Sequence, residues 1–269
     1  MLKSMYSGIS GMKANQTKMD VVGNNVANVG TTAFKKSSTR FTDALNQTII
    51  YASAPSGGIG GVNPGQVGIG TKVSGIFKSM LQGSIQPTGR PTDLAMDGDG
   101  LFVIDMNGVE AYTRDGSFSL DSNGDLVTSG GYRVKDTAGA NINIPDKAPN
   151  PDGVDKKVIS FNISKEGQVS YVLDDGTRSD GQMLQVAVFK NPEGLEALSG
   201  NLYGQTANSG NKIAGAKYGM INQGAIEMSN VDLSEEFTEM MITTRAFQAA
   251  SKVITTSDEL LQEIINLKR

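Results

Sequence analysis

From Leu233 to Leu267 the chain reads LSEEFTEMMITTRAFQAASKVITTSDELLQEIINL, and Leu233, Met240, Phe247, Ile254 and Leu261 recur in it every seven residues. Heptad spacing keeps such side chains on one narrow stripe of a helix, and only another helix can cover that stripe. The same period returns at the other terminus, where Met5, Met12, Met19 and Val26 fall seven apart with Leu2 and Ile9 alongside. The ends therefore predict N- and C-terminal helices paired as a coiled-coil-like layer. A chain with helix-pairing stripes at both ends is built to be joined to copies of itself.

Neither helix looks self-sufficient. The second stripe of the C-terminal helix (Phe237, Thr244, Ser251, Asp258, Ile265) is half polar, so that helix needs a specific partner surface. Its start offers two caps: Ser229 with Asp232 three residues on, or Asp232 with Glu235. The N-terminal helix is predicted from about Ser4 to Asn28, with Gly30 as the stop. Gly8, Gly11 and Gly23 interrupt it, each costing roughly 1 kcal/mol relative to Ala, which leaves it marginal alone. Residues 1–40 carry six basic side chains, among them Lys3, Lys13, Lys18 and Lys35, against only Asp20, while the final helix is rich in Asp and Glu. The two arms are complementary in sign, or their charges simply solvate exposed faces.

The middle reads differently. SAPSGGIGGVNPGQVGIG, from Ser53 to Gly70, has the composition of a linker, with Gly57, Gly58, Gly60 and Gly61 as its flexible positions. Beyond it, short β-type runs alternate with turn signals. LFVID, Asn107-Gly108 and VEAYT read as a hairpin with a type I′ turn. Asp115-Gly116, Asn123-Gly124, Gly130-Gly131, Glu166-Gly167 and Asp175-Gly176 punctuate further strands. The whole is an α+β chain with a central antiparallel β-rich domain. The predicted divisions are 1–30 for the N-terminal helix, 31–70 for the Gly-rich linker, 71–226 for the β-rich outer domain and 227–269 for the C-terminal helix.

Composition narrows the function. The chain has 269 residues with neither Cys nor His, which removes disulfides, Cys/His zinc sites and Ser-His or Cys-His nucleophilic catalysis. Its net charge of −4 and pI near 5.0 argue against a nucleic-acid partner. No stretch has the continuous apolar length of a membrane span, and no apolar secretory signal opens the chain. Asp97-Gly98-Asp99-Gly100 and Asp121–Asp125 lack the spacing and distal Glu of a calcium loop and read as turns. No catalytic, cofactor-binding or metal-binding residues emerge, and no cofactor is expected.

GNNVANVGTTAFKK (Gly23 to Lys36) and SNVDLSEEFTEMMITTRAFQAASKVITTSDELLQEIINLKR (Ser229 to Arg269) resemble the two terminal signatures of the bacterial flagellar rod and hook axial proteins. QGSIQPTGRPTDLAMDGDGLFVI (Gln82 to Ile104) is similar to the start of that family's β-rich domain. Ala33 departs from the pattern, since the family has Gly before the Phe. The ending from Thr243 is closer to the hook proteins, so the resemblance implies a structural subunit of the hook, a curved tube that acts as a universal joint. The alternative is a distal rod subunit of the basal body. A reading from a different class is a soluble oligomeric binding module. The resemblance further implies a homo-oligomeric helical tube whose inner layer is the terminal helices. It implies as partners the distal rod protein, the hook cap and hook-filament junction proteins, and the type III export apparatus. Localisation would be the flagellum, hook or basal body, reached without a cleaved signal peptide.

Overall fold

Both termini are helical: α1 spans Leu2–Ala27 and α2 spans Leu233–Leu267 in a computed structural model that describes residues 2–55, 60–149, 155–213 and 217–267. Asp232 is the cap that α2 uses. Its Oδ1 accepts the amides of Ser234 at 2.8 Å and Glu235 at 3.4 Å, and its carbonyl accepts the amide of Glu236 at 3.0 Å. The Ser229 hydroxyl instead accepts the amide of Val231, at 3.3 Å. With helices at the ends and antiparallel strands between them, the chain is α+β.

The residues divide into two compact units, and the chain passes between them four times. One unit gathers α1, Ser37–Ser79 and α2; the other gathers Asn28–Lys36 and Met80–Val231. In the helical unit, β1 (Ser37–Asp43) pairs with β4 (Thr71–Lys78), and β2 (Asn46–Ile50) pairs with β3 (Gly65–Gly68), both antiparallel. Much of the stretch 31–70 is thus paired backbone, because its β-branched and aromatic residues give it ladder partners on either side of the glycines. The Arg40 guanidinium lies 4.6 Å from the centre of the Phe77 ring across the β1–β4 ribbon. The Ser10 hydroxyl accepts the amide of Thr71 at 3.3 Å, which ties the start of β4 to α1.

The second unit is built from β5 (Ile85–Pro87), β6 (Leu94–Asp97), β7 (Leu101–Met106), β8 (Val109–Thr113), β9 (Ser119–Leu120), β10 (Leu126–Val127) and β11 (Arg133–Val134). There follow β12 (Lys147–Pro149), β13 (Asp155–Ile163), β14 (Gln168–Leu173), β15 (Arg178–Met183), β16 (Val186–Ala187), β17 (Glu196–Ala197) and β18 (Leu202–Gly204). Two more strands, β19 (Met220–Gln223) and β20 (Ala225–Glu227), complete it. The main sheet runs β17-β18-β8-β7-β11-β10-β9, with β16 also on β7, and a second sheet runs β12-β13-β14-β15. Strand β19 pairs with β6 and β20 with β5.

The run Leu101–Ile104 is apolar throughout because β7 is buried on both faces. Phe102 and Ile104 join Phe118, Leu126, Leu173 and Ile221 in one core. Leu101 and Val103 face the other way, with Tyr112, Phe189 and Tyr203. Edge-to-face ring pairs mark each side, Phe102 with Phe118 at 5.4 Å and Tyr112 with Phe189 at 4.8 Å.

The glycine turns divide into two physical kinds. At the β7–β8 hairpin Asn107 has φ 55° and Gly108 φ 90°, the positive pair that a type I′ turn needs. At Gly116 the requirement is space: a Cβ there would stand 1.6 Å from the Leu94 carbonyl oxygen. Gly116→Ala is therefore expected to destabilise the β unit by about 3 kcal/mol or more. Gly108→Ala, with open space around it, should cost only about 1 kcal/mol. Urea unfolding followed by circular dichroism measures both, and equal costs would contradict the distinction.

Candidate assembly interface

Helices α1 and α2 pack antiparallel, so that position falls along α2 as it rises along α1. The hydroxyls of Ser4 and Ser257 lie 3.4 Å apart, Gly8 sits against Ile254 and Gly11 against Ala250. Lys18 forms an ion pair with Glu239, and Asn25 Nδ2 donates to Glu236 Oε2 at 3.1 Å. On α2 the contact row alternates steps of four and three: Glu236, Met240, Thr243, Phe247, Ala250, Ile254, Ser257, Leu261. Glu236, Thr243 and Ser257 in that row are buried and polar. On α1 the facing row includes Gly8, Gly11, Val22 and Asn25. Small side chains let the helix axes approach: a Cβ on Gly8 would stand 3.0 Å from Ile254 Cγ1 and 3.3 Å from the Ala250 carbonyl oxygen. The glycines that weaken α1 as an isolated helix are thus what its packing requires.

Asn25 is the junction of this unit. Its side chain is buried, donates to the Ser37 carbonyl at 2.8 Å and accepts the Ser37 amide at 3.0 Å, besides reaching Glu236. One amide therefore holds α1, the first residue of β1 and the first turn of α2.

The sequence-derived interface residues fall into distinct places around this contact. Met240, Phe247, Ile254 and Leu261 lie in the contact row, each half-buried. Met5, Met12, Met19 and Val26 are half-buried one position round α1 from that row. Leu233, Phe237 and Ile9 are exposed, and Ile265 is exposed beyond the level of Ser4. Leu2 begins α1, but its side chain lies outside the described residues, as do Gly57 and Gly58. A Cβ on Gly60 would meet nothing within 4 Å, whereas one on Gly61 would stand 2.9 Å from the Ser53 carbonyl oxygen. Ser53 and Val62 exchange two backbone hydrogen bonds of 3.0 Å there, so Gly61 is a close-approach position. No helix among the described residues is long and apolar enough to cross a membrane.

The β unit holds an ionic cluster that sequence reading missed. Glu227, fully buried, accepts Lys35 Nζ at 2.7 Å and the Gly83 amide at 2.8 Å on Oε1, and Arg114 Nε at 2.6 Å on Oε2. Its backbone carbonyl accepts the Ala33 amide at 2.8 Å, and Ala33 holds φ 53°, the conformation for which Gly is better suited. Lys35 Nζ also donates to the Leu81 carbonyl at 2.7 Å. The Arg114 guanidinium donates to the carbonyls of Met96, Gly98 and Gly100. Burial pushes the Lys35 ammonium below the ordinary lysine range, and the hydrogen bond and charge of Glu227 oppose that shift. The sequence signal was faint: a lysine pair directly after Phe34 in TAFKK and a single charge inside the apolar run GAIEM.

Comparison with known proteins places these features in a family. The family model for "Flagella basal body rod protein" matches residues 5–35, that for "Flagellar basal body rod FlgEFG protein C-terminal" matches 222–267, and that for "Flagellar hook protein FlgE/F/G D1 domain" matches 95–171. The "Flagellar basal-body rod protein FlgG" of Bacillus subtilis (strain 168) is 47% identical over 274 residues, covering 100% of both chains. The protein of the same name from Borreliella burgdorferi is 39% identical over 277 residues, again covering 100% of each. The "Flagellar hook protein FlgE" of that species is 26% identical over an alignment of 441 residues that covers 100% of both.

The two terminal family matches each contain one member of the Lys35–Glu227 pair, which makes Glu227 the residue to test. Glu227→Gln leaves Lys35 and Arg114 buried without a counter-charge. The expected loss is about 3–5 kcal/mol, read as a lower urea midpoint for the β transition. Lys35→Met, which leaves the Glu227–Arg114 pair intact, should cost less. A wild-type midpoint for Glu227→Gln would deny the cluster its structural role.

Proposed function

The chain belongs to the flagellar rod and hook family, and we propose that within it this chain is a rod subunit, a building block of the distal shaft of the basal body. The family is a structural component of the flagellum whose members polymerise along the flagellar axis. The observation that carries the choice of rod is length. The rod relatives align with the chain end to end, whereas the hook alignment extends far beyond 269 residues and so requires long insertions. The hook reading and the rod reading both lie within this family, and co-extension favours the second.

In this reading the α1–α2 layer, paired in coiled-coil fashion, supplies contacts between copies in the wall of a tube, and the β unit supplies further contacts. Leu2, Met5, Met12, Met19 and Val26 on α1, with Leu233, Phe237, Met240 and Phe247 on α2, are the proposed assembly residues. The stretch from Ser53 to Gly70 adjusts contacts between neighbouring copies. The partners are other copies of the chain, the adjoining axial proteins and the flagellar export apparatus, which passes the chain outward without a cleaved signal. The role is structural and calls for no catalytic residue.

Complementation tests the assignment. Cells lacking their FlgG-type rod protein should regain completed basal bodies and motility when they express this chain. Cells lacking their hook protein should stay non-motile. Electron microscopy of purified basal bodies reads the outcome, and hooks restored in the second strain would reverse the choice.

A further inference from the structure

Helix α2 carries more apolar surface than α1 covers. A second row with the same alternation of four and three, Ile242, Ala246, Ala249, Val253, Thr256 and Leu260, lies one residue, or about 100°, back from the contact row, apolar but for Thr256. Ile242, Val253 and Leu260 in it are 56%, 42% and 52% exposed. The row Met5, Met12, Met19 and Val26 lies one residue forward from the contact row of α1, and on α2 the forward row is Phe237, Met241, Thr244, Gln248 and Ser251, the last four of them at the level of Met12 and Met19. In an antiparallel pair of right-handed helices, forward rotation on each brings both rows to the same side. A groove rich in methionine therefore runs along one flank of the helix pair, and the Ile242–Leu260 stripe runs along the other.

We propose that the Ile242–Leu260 stripe of one copy docks into the Met12–Met19 groove of a second copy of this chain. The proposal rests on the reading that the chain polymerises. A heptad stripe fits a groove between two helices, and the lengths agree. At about 1.5 Å per residue, Ile242 to Leu260 spans roughly 27 Å and Met5 to Val26 roughly 32 Å. Ala246 and Ala249 thin the stripe at its centre, and methionine side chains reshape to seat the larger residues on either side. The direction of the contact matters most. Stripe and groove occupy opposite flanks, so joining them is heterologous and leaves a free stripe and a free groove at the ends of any chain of copies. That is the condition for an open polymer; stripe on stripe would close a dimer and stop.

The chain has no Cys, so introduced thiols report contacts without background. The double variants Met12→Cys/Val253→Cys and Met19→Cys/Val253→Cys are to be expressed in the rod-deletion strain, and the basal bodies purified, oxidised and run on non-reducing gels. The expected result is a ladder of multimers from at least one of them. Val253→Cys alone should give only monomer. Val253→Glu, at an exposed position, should prevent polymers while leaving the unfolding transition unchanged. Polymers from both double variants without a ladder overturn the docking and leave the functional reading standing. Dimers from Val253→Cys alone, or a disulfide within one chain, overturn it as well. An unsubstituted chain that forms no polymer in those cells overturns the functional reading itself.

Discussion

A carboxylate enclosed by two cations and one backbone amide is the constraint on which the β unit depends. Glu227 comes from the last strand, Lys35 from the segment after α1, Arg114 from the end of the β7–β8 hairpin and Gly83 from the segment before β5. Taking so many charges out of water is expensive, and the cost is offset only when every donor finds an acceptor. Here the carbonyls of Leu81, Met96, Gly98 and Gly100 accept further protons from the two cations. A charge cluster bonded at so many points favours one arrangement of its strands. The hydrophobic cores on both faces of β7 provide the bulk of the burial, while the cluster selects which distant segments close over them.

One consequence concerns where the β unit begins and ends. Its contacts take in Asn28–Lys36, which precede the β1–β4 ribbon in the chain, and extend through Val231. Composition alone drew the boundary at the glycine-rich stretch and at Ile226, because linkers are recognised by residue type and packing is not. Arg114 and Glu227, which pair at 2.6 Å, stand on opposite sides of Ile226 in the chain.

The helical unit follows another logic. Its contact row alternates large apolar residues with small or polar ones: Gly8, Gly11, Thr243, Ala250 and Ser257 bring the axes close, and Asn25 and Glu236 hydrogen-bond across. Close approach is set by the small residues, and many large apolar side chains, among them Phe237, Met241, Ile242, Val253 and Leu260, are left exposed on the flanks. A helix pair of that kind is cohesive without using up its apolar surface, which suits a subunit whose remaining contacts are with copies of itself.

The period of the terminal repeats, the turn dipeptides and the missing His and Cys determined a good deal without any structure. They established helices at both ends, an antiparallel β-rich middle with its Asn107-Gly108 hairpin, and the exclusion of thiol and imidazole chemistry, because periodicity, positive φ and side-chain inventory are local properties. The terminal signatures led to the axial family for the same reason, being read residue by residue. Only the tertiary structure decided which stripe of α2 meets α1, because a heptad row and its neighbour one residue away look alike until a partner covers one of them. It also revealed Gly8 as a packing position and Glu227 as the centre of a buried cluster. Both depend on residues more than a hundred positions away, and no local pattern records which distant backbone will come within 3 Å of a given Cα or carboxylate.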